Sequence, residues 1–82
     1  MSSIDKVTEY EKGTILIIIA RIEEDIRANG IPEKDRASLW ARLGHFYGRM
    51  GDSLQQRFAC KQALDIDPKN SWARTQLAKM NS

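Results

Sequence analysis

The chain offers little that would make a membrane protein, a disulfide scaffold or an enzyme. Cys60 is the single cysteine among 82 residues, so no intramolecular disulfide can form, and a lone thiol suits a reducing compartment, with the cytoplasm as the expected one. The N-terminal stretch "MSSIDKVTEYEK" lacks the basic-then-apolar order of an export signal, and none is expected. The one strongly apolar run, "TILIIIA" at 14–20, is far short of the ~20 residues that cross a bilayer, which excludes a span on length. A net charge of +2 exerts no strong pull toward nucleic acid. No glycine-rich phosphate loop is present. The only histidine, His45, has no acidic residue three or four positions away, and the Glu23-Glu24-Asp25 cluster has no His or Cys at metal-ligand spacing. No catalysis, metal or cofactor is therefore expected.

What is present is enough for one small domain over 1–82. A chain of this size buries only ~60–65% of the surface it exposes when unfolded, and commonly needs a staple or a partner. The two halves differ in charge: residues 1–36 carry −2 and residues 37–82 carry +4. Such a split reads first as solvated helix faces that differ in charge, and second as an aid to packing of the halves on each other or to head-to-tail association of two chains.

The only prolines, Pro32 and Pro68, stand in turn-like stretches, "ANGIPEKD" and "DIDPKNS", and "MGDS" at 50–53 supplies a third break with Gly51 as a left-handed cap. Between the breaks the spacing is helical. Leu39, Trp40, Leu43, Phe46, Tyr47 and Met50 form a one-sided stripe, as do the smaller Ala59, Cys60, Ala63, Leu64 and Ile66. The reading is all-α, with four to five helices near 4–12, 15–29, 36–50, 53–66 and 71–80, the first either a shorter separate piece or continuous with the second. The β-branched run at 14–19 leaves a strand as the alternative there. On a wheel of 100° per residue, Ile15, Ile18, Ile19, Ile22 and Ile26 share one face, Leu16 and Ala20 lie to one side, and Ile17 is almost opposite. Apolar residues on every side imply burial on every side.

Residues 40–47 read "WARLGHFY": Trp, two residues, Leu-Gly, two residues, Tyr. Gly51-Asp52, Ala63-Leu64 and Ile66-Asp67-Pro68 follow at matching intervals. This pattern resembles the tetratricopeptide repeat, with one unit at 37–70, a capping helix over 71–82 and a helical N-terminal segment over 1–36. Gln56 and Cys60 depart from the family's usual alanine and large aromatic. The resemblance implies a stack of antiparallel helical hairpins. It also implies an interaction scaffold whose concave surface carries Ser38, Ala41, Arg42, His45, Gly48 and Arg49. Arg42, His45 and Arg49 share one helix face by their spacing and form a candidate seat for an acidic peptide, against a plain solvated basic face. The carboxylate-gripping members use Lys and Asn where this chain has Ala41 and His45.

Repeat units do not bury their faces singly, and only one unit is recognisable here. Leu16, Ile17 and Ala20, with Leu54 and Phe58 as second contacts, are therefore the expected interface of a homo-oligomer, a dimer in the first instance. The competing expectation is an assembly chaperone or subunit that meets a different protein through the same residues. Nucleic-acid binding ranks behind both, because Arg42, Arg49, Arg57, Lys61, Lys69, Arg74 and Lys79 are dispersed.

Overall fold

The structure, a computed structural model, describes residues 9–80. It contains α1 (Glu9–Arg27), α2 (Glu33–Arg49), α3 (Ser53–Ile66) and α4 (Ser71–Met80), with no strand among the described residues. The all-α expectation holds, and the run at 14–19 is helical. The division into helices at 4–12 and 15–29 does not hold. From Glu9 onward one helix passes through Gly13, because an isolated glycine costs a helix only ~1 kcal/mol. Residues 4–8 lie outside the described residues. α1 stops at Arg27 rather than 29, and α2 starts at Glu33 rather than 36, with Pro32 as its cap residue and the Pro32 carbonyl accepting from the Arg36 amide at 3.0 Å.

Each break has its own chemistry. Gly51 takes φ +80°, the Asp52 amide donates to the Tyr47 carbonyl at 3.0 Å and the Gly51 amide to the Gly48 carbonyl at 3.0 Å. That double closure is a Schellman turn, and the left-handed residue at its centre is one that glycine adopts without steric cost. Asp52 then caps α3, its Oδ1 accepting from the Gln55 amide at 3.2 Å. After α3, Asp67 Oδ1 accepts from the Lys69 amide at 3.1 Å, and Asn70 Oδ1 accepts from the Ala73 amide at 3.0 Å to open α4.

Neighbouring helices run antiparallel. Glu23 meets Tyr47 while Ile26 meets Arg36 across α1 and α2. Gly44 faces Cys60 while Gly48 faces Gln56 across α2 and α3. Gln56 reaches Gln76 at 3.4 Å between α3 and α4. α4 therefore runs parallel to α2 and touches it where Trp72 meets His45.

Two small cores result. Ile15, Ile19, Ile22 and Ile26 of α1 close on Leu43 and Ala59, with Ile18, Leu39, Trp40 and Phe46 at the margin. Burial of each isoleucine contributes ~1.5–3 kcal/mol. The second core is built of small side chains: Ala41, Cys60, Ala63 and Ala73. A Cβ on Gly44 would stand 3.0 Å from Cys60 Sγ, so the α2–α3 crossing depends on that residue having no side chain. The molecule is a slab of 44 × 30 × 16 Å, and among the described residues the largest side chain wholly withdrawn from solvent is that of Cys60. A core this thin leaves large apolar groups outside: Ile17 is 71% exposed, Leu54 80% and Tyr10 85%.

Candidate functional site

α2 is the organising element, packed against the other three helices. Its outward face carries Ser38, Arg42, His45 and Arg49, all exposed. Arg42 and His45 form a ridge with a groove on each side. Toward α4, Ser38, Ala41, Arg42, His45, Asn70 and Trp72 line a groove of about 380 Å³. Toward α1, a larger groove of about 520 Å³ is lined by Ile17, Ile18, Arg21, Ile22 and Asp25 on one wall and Leu39, Arg42, His45 and Phe46 on the other. Further hollows extend it to Tyr10, Glu11 and Arg49 at one end and to Ile31 and Asp35 at the other. From Tyr10 to Asp25 that is ~22 Å along α1 at the helical rise of ~1.5 Å per residue.

His45 is held edge-on between two rings, Phe46 at 5.0 Å and Trp72 at 5.6 Å. Among the described residues neither Arg42 nor Arg49 has a carboxylate within ion-pair distance. Arg42 nonetheless shares its hollows with Asp25 and Asp35, and Arg49 shares one with Glu11, so acidic side chains of the chain itself line the same face beside the apolar ones. Gly48, expected on this face, points instead at the Gln56 side chain of α3. Asn70 and Trp72 were not foreseen as part of it. The sequence signals that Asn70 opens α4, by its cap on the Ala73 amide, but not that α4 docks Trp72 against His45.

The five apolar residues expected to act together are divided. Ile17 lines the groove beside Arg42. Phe58 lies on the opposite side, where Glu23, Ile26, Arg27, Trp40, Leu43, Tyr47, Gln55 and Ala59 enclose about 180 Å³ between α1 and α3. Phe58 is half-buried there, edge-on to Trp40 at 5.8 Å. Leu54 is exposed on α3, and Leu16 and Ala20 are exposed on α1, on the side of the helix nearer Glu23 than Arg21.

Two long-range contacts hold this arrangement. Arg36 of α2 donates from Nη1 to the Ile26 carbonyl and from Nη2 to the Ala28 carbonyl at 3.3 Å, capping the end of α1. Tyr47 Oη donates to Glu23 Oε2 at 2.9 Å. Burial foremost, then the hydrogen bond and the negative charges of Glu23 and Asp52, push the Tyr47 phenol up to about 12. Burial also pushes the Cys60 thiol up, disfavouring the reactive thiolate. Among the described residues no three His, Cys, Asp or Glu side chains gather closely enough to hold a metal ion, and no helix is long and apolar enough to cross a membrane.

Comparison with models of protein families, with curated proteins and with solved structures finds no match to this chain. The fold and the ridge-and-groove face are what bear on its function.

Proposed function

We propose that this chain is a non-catalytic, tetratricopeptide-like adaptor. It self-associates through the outer side of α1 and holds an acidic peptide or partner helix on the Arg42, His45 and Arg49 face. The observation that carries the reading is Ile17. It is 71% exposed on a helix whose other face supplies most of the larger core, in a molecule too thin to cover it. The repeat-like character is supported by the antiparallel α2–α3 hairpin, the close Gly44–Cys60 crossing and the glycine turn at 51. The absence of a catalytic role is supported by His45, which packs against rings, and by Cys60, which is buried with its thiol pKa raised. A buried reduced thiol also accords with a cytoplasmic setting.

Thermal melting over a range of protein concentrations tests the reading. Self-association couples folding to mass action, so the midpoint rises with concentration. A midpoint independent of concentration sinks it.

Leu54, 80% exposed on α3, and the half-exposed Phe58 favour a second reading. A dimer formed through Ile17 leaves them uncovered, and an assembly chaperone or subunit would use them to meet a different protein. That reading expects a poorly cooperative or aggregating protein that is rescued by co-expression with its partner.

A further inference from the structure

Arg42 reaches grooves on both flanks of α2, and the two flanks differ in charge. Toward α1 the chain supplies its own acids: Asp25 in the larger groove, Asp25 and Asp35 in the hollow beyond it, and Glu11 in the hollow of Arg49. Toward α4 none of the described lining residues is acidic. They are Ser38, Ala41, Arg42, His45, Asn70 and Trp72. Asn70 Oδ1 is engaged as the cap on the Ala73 amide, which leaves its side-chain NH2 to donate. Beside these donors stand the rings of His45 and Trp72, 5.6 Å apart and inclined at 71°, with Trp72 38% exposed.

We propose that the groove between α2 and α4 is the seat of an extended acidic peptide. A side-chain carboxylate of the peptide lies on Arg42, with Ser38 and Asn70 as neighbouring donors, and an aromatic side chain of the same peptide lies against Trp72 and His45. This rests on the peptide-binding reading above and narrows it, because Arg49 takes no part. Charge selects the flank. A carboxylate on the α1 side meets Asp25 or Asp35 in the same hollow, and like charges oppose it; on the α4 side it meets donors only. One guanidinium grips one carboxylate through two parallel N–H bonds, and does not match the string of phosphates on a nucleic acid. Arg42 and His45 lie ~4.5 Å apart along α2 at the helical rise. An extended peptide sets alternate side chains on one face, ~6.6 Å apart, a span that the long Arg42 side chain covers. An acidic residue two positions from an aromatic one is therefore the pattern that fits. The groove lies across α2 from Ile17, so the peptide does not compete with association through α1.

Two blocked pentapeptides test the seat: acetyl-Gly-Glu-Gly-Phe-Gly-amide and its Gln counterpart, amidated so that no terminal carboxylate contributes. Each is titrated to millimolar concentration into the isotope-labelled full chain and followed by two-dimensional NMR. Trp72 lines this groove and Trp40 the hollow between α1 and α3, so their indole N–H signals report which side is occupied. The Glu peptide is expected to move the Trp72 signal and not that of Trp40, and to bind at least about fivefold more tightly than the Gln peptide. Arg42→Gln should abolish that preference and Arg49→Gln should preserve it. Both side chains are exposed, so the fold should survive, which far-UV circular dichroism verifies. Equal loss of preference in Arg42→Gln and Arg49→Gln overturns the groove while the peptide reading stands. A response confined to Trp40, or equal binding of the two peptides, also overturns the seat. A single-stranded RNA that moves Trp72 where the Glu peptide does not replaces it with nucleic-acid binding. No response to either peptide at millimolar concentration removes both the seat and the peptide reading.

Discussion

Replacing Arg36 with alanine removes the cap that α2 places on the end of α1. Its guanidinium donates to the carbonyl of Ile26 in the last turn of α1, where helix carbonyls lack an intrahelical partner, and to that of Ala28 just beyond it. A hydrogen bond of a charged donor contributes ~1.5–3 kcal/mol when buried, but one of this pair is exposed and the other half-buried, which lowers the sum. A cation at a helix C-terminus adds ~0.3–1 kcal/mol. The expected loss is about 2 kcal/mol, a quarter of the ~8 kcal/mol that a domain of this length holds. Urea unfolding followed by far-UV circular dichroism at one fixed protein concentration reads it. With a slope near ~1 kcal/mol per molar urea, the midpoint falls by about 2 M while the slope stays constant. Arg36→Lys keeps the charge but not the fork that reaches two carbonyls, and should recover less than half of the loss. A midpoint within ~0.3 M of wild type for Arg36→Ala, equal to ~0.3 kcal/mol at that slope, refutes the cap.

Gly13 and Gly44 should respond in opposite directions to alanine. Nothing lies within 4 Å of a Cβ at Gly13, so Gly13→Ala raises stability by ~1 kcal/mol through helix propensity alone, read as a higher melting temperature. At Gly44 the new methyl meets Cys60 Sγ at 3.0 Å and the Gln56 carbonyl oxygen at 3.4 Å, and the wholly buried Cys60 cannot yield. Gly44→Ala therefore destabilises by ~1–3 kcal/mol, and the penalty shrinks in a Cys60→Ala background, where a double-mutant cycle detects the coupling. Stability should also fall as pH rises from 10 to about 12. In that window the unfolded chain releases the Tyr47 proton and the folded chain retains it, and Tyr47→Phe flattens this part of the profile.

Local chemistry was legible in the sequence, whereas relations between distant residues were not. The bounds of α3 and α4 follow from Asp52, Gly51 and the "DPKNS" turn, whose capping atoms lie within three residues of what they cap. The buried face of α1 follows from periodicity, and so does the outward direction of Ile17. The sequence left open whether a separate piece precedes Gly13 or one helix runs through it, and the structure shows one helix. The energetic cost of keeping it helical is small beside the packing of the isoleucines that follow. The Arg36 cap and the Tyr47–Glu23 bond join residues 10 and 24 positions apart, and nothing local announces either. A helical wheel gives the direction of a side chain from its own axis, not which neighbour lies there. This is why Ile17 and Phe58 could be grouped by apolarity although α2 separates the grooves they line.

The claim that the outer side of α1 is an interface meets its most direct test in static light scattering on the purified chain at micromolar concentration. A mass about twice 9.4 kDa for wild type, falling to 9.4 kDa in a folded Ile17→Glu variant, is the predicted result. A wild-type chain of 9.4 kDa would contradict it.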